Sequence, residues 1–288
     1  MSKEKHAYLI IAHHEFGILQ KLIGLLDDAR NDIYVHIDKK VKNLPSLQCA
    51  ESKLYILEDR IDVRWGHVSQ IESEYALFEA AYNAKQLYDR YHLISGVHLP
   101  LKNQNDIHDF FNKNKDKELL SFLYTNNYEM NFKLNRSHYF LKNYRADNAL
   151  MRRIAQLLWH LSLKAQSVLG IKKNNLKIDV KANNWVSLTH LAIVRIINEK
   201  DNVLKLFRRT FCGDEFFVPY VLEADLDKFE IRNEQRLLFN EFVGSTPRVL
   251  TDADYNFLIN SEYLFARKFS SSDMVVVNKI VGHLKSSL

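Results

Sequence analysis

Two short runs of β-forming residues flank one helical pattern at the start of this chain, and this arrangement constrains the fold more than any other feature. The first run spans Ala7 to Ala12, and the second spans Asp32 to Ile37. Between them, apolar side chains recur at the spacing of an amphipathic helix, at Phe16, Leu19, Leu22, Ile23 and Leu26. Strand, helix and strand in this order form a βαβ unit, which predicts an α/β fold with a parallel sheet.

The alternation of strands and helices continues in the sequence to residue 96. A third strand is predicted from Lys53 to Leu57, a long helix from about Ser69 to Tyr91, and a fourth strand from Tyr91 to Ser95. In open α/β sheets, ligands bind outside the carboxyl ends of the strands. That rule nominates the residues at those ends as candidate binding groups: His13, His36, Asp38, Ser95 and Gly96.

The composition is that of a globular protein that needs no disulfide bonds to fold. The 288 residues, 47% of them hydrophobic, can bury a full core as one large domain or two small ones. No internal repeat or linker divides the chain, which favours one continuous α/β domain with an elaborated second half. The two cysteines, Cys49 and Cys212, form no CxxC pair, which argues against a disulfide scaffold or a zinc site and indicates a reducing compartment.

Neither a signal peptide nor a membrane span is predicted. The apolar run before His13 is too short for a signal-peptide core. No later run approaches the ~20 apolar residues that a span needs. We therefore expect a soluble, cytoplasmic protein.

The net charge of +5 at pH 7 is mild for this length. A duplex-DNA binder carries a dense basic stripe, and here only the stretch from Tyr124 to Arg145 interleaves cations with aromatic residues. No nucleic-acid partner is predicted, and a smaller anionic partner fits better. The eight glycines form neither GxGxxG nor a P-loop, so side chains must hold the phosphates of any bound nucleotide.

One acidic pair lies among aromatic residues, in the segment Phe211-Cys212-Gly213-Asp214-Glu215-Phe216-Phe217. Carboxylates avoid apolar surroundings unless they are paired or functional, so Asp214 and Glu215 are candidates for an active-site base. The pattern also fits an N-cap and first-turn charge of a helix that runs from Asp214 into Phe217. This segment alone leaves both interpretations open.

A bound diphosphate can be neutralised by a divalent metal or by Arg and Lys side chains. Asp-x-Asp occurs twice, but late in the chain, where helix caps and solvated turns are the simpler interpretation. The fourth strand ends without a carboxylate, and His13-His14-Glu15 lacks the second histidine of HExxH, so no metal site is predicted. The segments concerned are Asp225-Leu226-Asp227, Asp252-Ala253-Asp254 and Ser95-Gly96-Val97-His98.

Two adjacent cations, Arg267 and Lys268, stand inside an aromatic frame near the C-terminus, and Arg248 lies upstream after Pro247. One interpretation is that Arg267 and Lys268 are exposed charges at the end of a helix. The alternative is that the cations together bind an anion.

A long amphipathic helix is predicted in the second half of the chain. Its apolar face comprises Ile154, Leu157, Leu158, Leu161, Ala165, Val168 and Leu169. Nearby cations are Arg152, Arg153, Lys164, Lys172 and Lys173. The pattern favours a surface helix that packs this face on the core, and it also fits a basic amphipathic helix lying against an anionic membrane.

Seven segments that occur in sequence order resemble the core-2/I-branching glycosyltransferases, glycosyltransferase family 14. This family contains β-1,6-N-acetylglucosaminyltransferases and peptide O-xylosyltransferases, and the resemblance runs from about residue 7 to about residue 270. The segments are Tyr8-Leu9-Ile10-Ile11-Ala12-His13, Asp32-Ile33-Tyr34-Val35-His36-Ile37-Asp38-Lys39-Lys40, Val63-Arg64-Trp65-Gly66, Leu93-Ile94-Ser95-Gly96 with Leu99-Pro100-Leu101-Lys102, Asn184-Trp185-Val186-Ser187-Leu188, Asp214-Glu215-Phe216-Phe217 and Leu264-Phe265-Ala266-Arg267-Lys268-Phe269.

The resemblance implies a GT-A-like fold, a Rossmann-like mixed sheet flanked by helices, in a single catalytic domain over residues 1–288. Its nucleotide-binding half would span about 1–102, and its acceptor-binding and catalytic half about 103–288. It also implies an inverting, metal-independent transfer from a UDP-sugar. Glu215 is then the catalytic base, and Lys268 and Arg248 bind the diphosphate, with Arg267 able to share that role.

The nucleotide or sugar side of such a site would be lined by His13, Asp38, Arg64, Trp65, Gly66, Ser95, Trp185 and Asp214. A lone tryptophan such as Trp185 also fits the core. The chain has Trp65-Gly66-His67 where the family frequently has Trp-Gly-Gly, which leaves the donor and acceptor open.

We expect transfer of a sugar, plausibly N-acetylglucosamine in β-1,6 linkage, to a glycan or lipid-linked oligosaccharide precursor of a bacterial surface polysaccharide. No cofactor or metal is expected besides the UDP-sugar. The enzyme would be cytoplasmic, in peripheral contact with the inner face of the membrane. The alternative is a non-catalytic sugar- or nucleotide-binding module of the same fold.

Overall fold

A computed structural model describes residues 4–173, 176, 178–225, 227–244 and 246–286. The helices within these ranges are α1 (Phe16–Leu26), α2 (Ser69–Tyr82), α3 (Gln104–Asn112), α4 (Asn127–Leu134), α5 (Ala149–Val168), α6 (His190–Asn198), α7 (Lys200–Phe207), α8 (Phe217–Glu223), α9 (Tyr255–Asn260) and α10 (Met274–Ser286). The strands are β1 (His6–Ala12), β2 (Asn31–Ile37), β3 (Lys53–Ile56), β4 (Arg90–Ser95), β5 (Leu99–Pro100), β6 (Lys117–Leu120), β7 (Phe122–Leu123), β8 (Lys181–Ala182), β9 (Ser187–Thr189), β10 (Glu230–Asn233), β11 (Leu238–Asn240), β12 (Phe242–Val243), β13 (Thr246–Pro247) and β14 (Phe265–Arg267).

A seven-stranded mixed sheet in the order β10-β6-β9-β4-β1-β2-β3 forms the centre of the protein. Strands β1, β2, β3 and β4 run parallel to one another, whereas β9 is antiparallel to both of its neighbours, β4 and β6. Helices cover both faces of this sheet. The predicted α/β architecture, a mixed sheet flanked by helices, is confirmed.

Both faces of β1 are buried, because its residues contribute alternately to two hydrophobic clusters. Tyr8 and Ile10 pack on one side of the sheet with helices α1, α3 and α10. Ala7 and Leu9 pack on the other side with helices α2, α6, α7 and α8. This explains why the strand is a continuous apolar run in the sequence rather than an alternating one.

Helix α2 is shorter than predicted: it ends at Tyr82, and β4 begins at Arg90. The reason is Tyr88, which the sequence pattern assigned to the helix. Its side chain is buried, and its hydroxyl lies 2.7 Å from both Asp32 Oδ2 and Tyr34 Oη on β2. These contacts with β2 require the chain to leave the helix before it enters β4.

Helix α5 lies where it was predicted, but the face that was expected to pack on the core is exposed. The helix instead buries Ala155, Trp159 and Gln166. Trp159 Nε1 donates to His138 Nδ1 at 3.1 Å, and the Gln166 side chain accepts from Ser137 N and donates to Ser137 O, both at 2.8 Å. Hydrogen bonds to the segment beneath the helix therefore determine which side faces inward, against the apolar periodicity.

Within the described ranges, none of the helices combines the length and the apolar character that crossing a membrane requires.

Three buried histidines connect β1, β4 and α3. His92 Nε2 lies 3.1 Å from His6 Nδ1, the ring of His6 stacks on His108 with 3.9 Å between centroids, and His108 Nε2 lies 3.0 Å from Asn31 Oδ1. Burial and mutual repulsion lower the pKa of His6 well below its ordinary value. Burial and the nearby Arg90 do the same to the pKa of His92, and burial lowers that of His108 to about 4. All three rings are therefore neutral at pH 7.

We expect the free energy of unfolding to fall as the pH drops below 6.5, the ordinary histidine value. Each of these histidines takes up a proton there in the unfolded chain but not in the folded one, which costs about 1.4 kcal/mol per histidine per pH unit. Urea unfolding between pH 8 and pH 5 would measure the slope. His108→Gln should reduce the slope by the contribution of one proton, about 1.4 kcal/mol per pH unit. His160→Gln, at an exposed position, should leave the slope unchanged. Equal slopes in wild type and His108→Gln would contradict this account.

Candidate active site

The predicted binding residues of the first half meet at the carboxyl edge of the central sheet. His13 follows β1, Asp38 follows β2, and Ser95 ends β4. Backbone hydrogen bonds of 2.9 Å from Asp38 N to Ala12 O and from Gly96 N to Ile11 O hold these strand ends together. Although the His13 ring is accessible to solvent, surrounding protein atoms and the adjacent His14 lower its pKa to about 4. The edge thus presents a neutral imidazole beside a carboxylate.

Asp38 begins a chain of alternating charges along this edge. Lys40 Nζ lies 2.6 Å from Asp38 Oδ2 and 3.2 Å from Asp62 Oδ1. Arg64 in turn donates to Asp62 Oδ2 at 2.8 Å. Each charge has an opposite neighbour, so this network fixes the loop that leads to Trp65.

Trp65 and Gly66 form a wall next to the acidic pair. The guanidinium of Arg145 stacks 3.5 Å from the centroid of the Trp65 ring. Gly66 adopts a φ of 71°, and a Cβ at this position would lie 2.6 Å from Cε2 of Phe211. Only glycine allows the loop to approach Phe211 so closely.

The structure does not support the helix-cap interpretation of the acidic pair. Gly213–Glu215 is a short 3-10 turn, and α8 begins after it at Phe217 without a capping side chain. The turn follows Cys212, a buried residue in the left-handed region with φ 51°. Asp214 and Glu215 therefore make their contacts outside the helix.

Glu215 belongs to a compact cluster of two carboxylates and two ammonium groups. Its Oε2 lies 2.7 Å from Lys133 Nζ and 3.5 Å from Lys181 Nζ, and both lysines also contact Glu129 Oε1, at 2.9 and 2.7 Å. Burial opposes the shift, but hydrogen bonds from Lys181 and Lys133 lower the pKa of Glu129 to about 2. Among the described residues, none bonds Oε1 of Glu215, so one oxygen remains to meet a ligand.

Asp214 points the other way, into the protein. Its Oδ2 accepts a hydrogen bond of 2.8 Å from Gln70 Nε2, while Oδ1 is buried and has no partner among the described residues. Burial and the neighbouring Glu215 raise its pKa. Glu74, one turn after Gln70 on α2, is fully buried, and in the described part of the chain neither of its carboxyl oxygens has a hydrogen bond of normal geometry. Burial and the charge of Asp214 raise the pKa of Glu74 well above its ordinary value, and the Asn184 side chain offsets only part of this effect.

The segment from Lys181 to Trp185 links the acidic pair to the C-terminal cations. Lys181 contacts Glu215, Asn184 faces Glu74, and the Trp185 ring lies 5.1 Å from the guanidinium carbon of Arg267. Trp185 also meets the His98 ring edge to face, with 5.1 Å between centroids. Its side chain thus lies between two groups of charges that are far apart in the sequence.

Arg267 is a charge without compensation. Its guanidinium packs on Trp185, its Nε has no partner, and within the described part of the chain no carboxylate pairs with it. Burial lowers its pKa to about 10, so it remains charged at neutral pH. A desolvated cation of this kind is stabilised when an anion binds beside it.

Lys268 follows Arg267 directly after β14. Its neighbour Phe269 donates a backbone hydrogen bond of 3.1 Å to Val97 O, within the Ser95-Gly96-Val97-His98 segment. Ser95 Oγ is held 2.7 Å from His98 Nδ1. The backbone of the segment that carries both cations therefore lies against the turn after β4, where the sequence has no carboxylate pair.

Arg248 is near Lys268 through its backbone only. Lys268 N donates to Arg248 O at 3.4 Å, but the Arg248 guanidinium is paired with Glu241 Oε2 at 2.6 Å and Asp254 Oδ1 at 2.8 Å. These two carboxylates already neutralise it. Of the three predicted diphosphate-binding residues, Arg267 and Lys268 are the two that are free to meet an anion.

The late Asp-x-Asp pairs have other partners. Asp254 closes a capping box with Thr251 and binds Arg248, and Asp252 pairs with Lys279 at 2.7 Å. Leu226, the middle residue of the first pair, lies outside the described residues. Glu15, in the His13-His14-Glu15 run, accepts hydrogen bonds from Ser270 Oγ and Ser271 N.

Several residues of the site were not predicted from the sequence: Glu129, Lys133, Lys181, Gln70 and Glu74. Glu74 had a usable signal, because it is a carboxylate on the apolar face that Ile71 and Phe78 define on α2. Lys133 and Lys181 had no such signal, since ion pairs with Glu215, across 82 residues for Lys133 and also distant in sequence for Lys181, leave no local pattern.

Comparison with known proteins points to one family. Residues 6–240 match the profile of the Core-2/I-Branching enzyme family. No curated protein matches the chain significantly. Among solved structures, the chain is similar to the crystal structure of mouse xyloside xylosyltransferase 1 in its apo form, with 10% sequence identity, a TM-score of 0.39, and coverage of 91% of this chain and 96% of that chain.

The family match extends over most of the chain and defines the protein as a glycosyltransferase, an enzyme that moves a sugar from a nucleotide-sugar donor to a glycan acceptor. The chain belongs to the Core-2/I-branching enzyme family. The resemblance inferred from the seven segments is confirmed.

We expect Gly66→Ala to destabilise the protein by about 1–3 kcal/mol more than Gly170→Ala. Both glycines have a left-handed φ, but only Gly66 would place its Cβ against Phe211, whereas nothing lies within 4 Å of Gly170. The Phe211 ring cannot move aside, because it is enclosed by the rings of Trp65, His138 and Trp159. Urea unfolding of the two variants measures the difference, and equal losses would show that the contact is not restrictive.

Proposed function

We propose that this protein is an inverting, metal-independent glycosyltransferase that uses a UDP-sugar. The observation that carries the proposal is the pair of cations, Arg267 and Lys268, which have no carboxylate partner among the described residues. The short segment from Lys181 to Trp185 connects them to the carboxylate of Glu215. A carboxylate and a cation clamp are the two groups that such a transfer needs. By family resemblance, the transferred sugar is N-acetylglucosamine, and the bond formed with the acceptor is a β-1,6 linkage.

In this mechanism Glu215 is the general base. Its unbonded oxygen, Oε1, takes the proton from the acceptor hydroxyl while the hydroxyl oxygen attacks the anomeric carbon of the donor. The bond between that carbon and the β-phosphate oxygen breaks, and UDP leaves with the negative charge. Lys133 holds the other oxygen of Glu215 at 2.7 Å, which orients the carboxylate.

Arg267 and Lys268 receive the charge that develops on the leaving diphosphate. Arg267 is preorganised, because it lies over the Trp185 ring and no carboxylate among the described residues has to be displaced. Arg248 has a supporting role in this scheme: its backbone hydrogen-bonds to Lys268, and its guanidinium ties that segment to Glu241 and Asp254.

The remaining predicted residues divide between donor and acceptor sides. His13, Asp38, Arg64 and Ser95 at the sheet edge belong to the nucleotide-binding half, residues 1–102. The half from 103 to 288 supplies the base, Trp185 and the acceptor contacts. We propose a glycan or lipid-linked oligosaccharide as the acceptor, in the synthesis of a bacterial surface polysaccharide at the inner face of the membrane.

UDP release from a panel of UDP-sugars tests the chemistry. We expect slow hydrolysis of one donor that is unaffected by EDTA and is lost in Glu215→Gln, because the amide cannot accept the proton. Glu262→Gln, at an exposed carboxylate, is the matched control and should keep wild-type turnover. Abolition by EDTA would refute the cation-clamp mechanism. Donor binding without turnover, with acceptors supplied, would favour a non-catalytic module.

Removing either free cation should slow the reaction without preventing folding. Arg267→Ala and Lys268→Ala are each expected to lower kcat about 10²-fold, as the loss of one donor to a developing oxyanion does. Lys279→Ala removes an exposed lysine whose partner, Asp252, lies outside the site, and should leave kcat unchanged. Full activity of both Arg267→Ala and Lys268→Ala would reject their role.

A further inference from the structure

Helix α5 carries a continuous apolar stripe that faces solvent. Leu157 is 60% exposed, Leu161 53% and Val168 78%, although each lies within a well-formed helix. At 3.6 residues per turn these positions fall on one face together with their apolar neighbours. The whole stripe comprises Leu150, Met151, Ile154, Leu157, Leu158, Leu161 and Val168, and Leu169 and Ile171 extend it beyond the helix.

The stripe cannot turn inward, because the opposite side of the helix is held by hydrogen bonds to Ser137 and His138. Trp159 donates to His138, and Gln166 bonds to both backbone groups of Ser137. Rotating α5 to bury its leucines would break these bonds and expose Trp159. The exposed face is therefore a fixed surface that something else must cover.

The sequence around α5 carries charge of one sign. No Asp or Glu occurs between Asp147 and Asp179, a stretch of sequence that contains six cations. They are Arg152, Arg153, Lys164 and Lys172, together with Lys173, whose Nζ donates to Leu206 O, and Lys177, which lies outside the described residues. Arg153 and Lys164 border one side of the stripe, and across the described ranges neither has a carboxylate partner.

The basic character continues from α5 into the neighbouring groove. His138, which receives the Trp159 hydrogen bond, also lines a groove of about 650 Å³. Glu72 is the one carboxylate among its lining residues, and four cations outnumber it: Lys142, Lys205, Arg208 and Arg209. The groove next to the inward side of α5 is therefore also rich in cations.

We propose that the α5 stripe docks on an anionic lipid bilayer, with the helix lying in the plane of the interface. This rests on the proposed function, which sets the enzyme at a membrane, and it names the surface and the lipid class. Leucine, isoleucine and valine side chains would enter the acyl boundary, and Arg153 and Lys164 would meet the lipid phosphates.

A bilayer fits this surface better than a second copy of the chain. Two-fold pairing along α5 would bring the same cations of both copies together without an intervening carboxylate, which costs free energy. An anionic surface turns that repulsion into attraction. The helix, at about 1.5 Å per residue, is also long enough to lie across many headgroups.

Flotation with phosphatidylglycerol/phosphatidylcholine vesicles tests the surface. Wild type should float with these vesicles and much less with phosphatidylcholine alone, and added salt should weaken binding. The double variant Leu157→Ser/Leu161→Ser should lower the partition coefficient at least about tenfold, because two apolar side chains no longer enter the interface. Leu191→Ser, at a 57% exposed leucine on α6, is the matched control and should bind like wild type.

A second variant separates charge from apolar burial. Arg153→Gln/Lys164→Gln should lower binding about thirtyfold, since two cations near the surface together contribute about 2 kcal/mol. Equal binding of wild type and Leu157→Ser/Leu161→Ser would overturn the proposal, as would absence of flotation by wild type. So would a wild-type dimer that Leu157→Ser/Leu161→Ser converts to monomer, because the stripe would then be an interface between copies.

UDP release without vesicles keeps the two proposals apart. The serine substitutions lie outside the catalytic groups, so hydrolysis of a soluble donor and the urea midpoint should match wild type while flotation is lost. Turnover without flotation in the wild type would reject the docking surface alone. Flotation with no turnover of any donor and acceptor would reject the enzymatic proposal alone.

Discussion

The antiparallel strand β9 is the constraint on which the site depends. It pairs with β4 on one side and β6 on the other, so strands from both halves of the chain share one sheet. The segment that leads into it carries Lys181, Asn184 and Trp185, each in contact with a different charged group. Hydrogen bonds such as Leu93 N to Val186 O, at 2.9 Å, fix this segment against the end of β4. Moving β9 would separate the carboxylate of Glu215 from the cations that a donor would meet.

The two ends of the site differ in how their charges are balanced. Glu215 is compensated by Lys133 and Lys181 before any ligand arrives, whereas Arg267 has only the face of Trp185. Leaving a desolvated guanidinium unpaired costs stability, and an anionic ligand recovers that cost on binding. In the proposed role of Arg267, part of the donor affinity would come from pairing this guanidinium with the diphosphate. The acceptor side, already neutral, would select its ligand by shape and hydrogen bonding.

Local sequence patterns predicted the fold well, because the apolar spacing that defines each main helix and strand lies within one short segment of the chain. The βαβ opening, strand β4 and the existence of α5 follow from the spacing of apolar residues within single segments. The predicted end of α2 was wrong because Tyr88 is placed by a hydroxyl contact with Asp32, more than fifty residues away. The prediction of the core-facing side of α5 was wrong for the same reason. Gln166 and Trp159 bond to Ser137 and His138, which lie outside the helix and do not contribute to its apolar periodicity.

The site could be predicted only where a residue ends a strand or belongs to a recognisable segment. His13, Asp38, Ser95 and the Asp214-Glu215 pair were found in this way, and their roles stay predictions. Lys133 and Lys181 could not be found, because their contact with Glu215 exists only after the chain folds. Arg248 illustrates the opposite limit: the sequence indicates its position near Lys268 but not the two carboxylates that occupy its guanidinium.

Cys212, the residue that leads into the acidic turn, gives the site a chemical property of its own. Its thiol is buried, and burial together with the charges of Asp214 and Glu215 raises its pKa. The thiolate, the form that reacts with oxidants and alkylating agents, is therefore suppressed. A sulfur next to the proposed base would otherwise compete as a nucleophile and as a target of oxidation. Glu215, the carboxylate that would serve sugar transfer, thus helps burial and Asp214 to keep the neighbouring thiol unreactive.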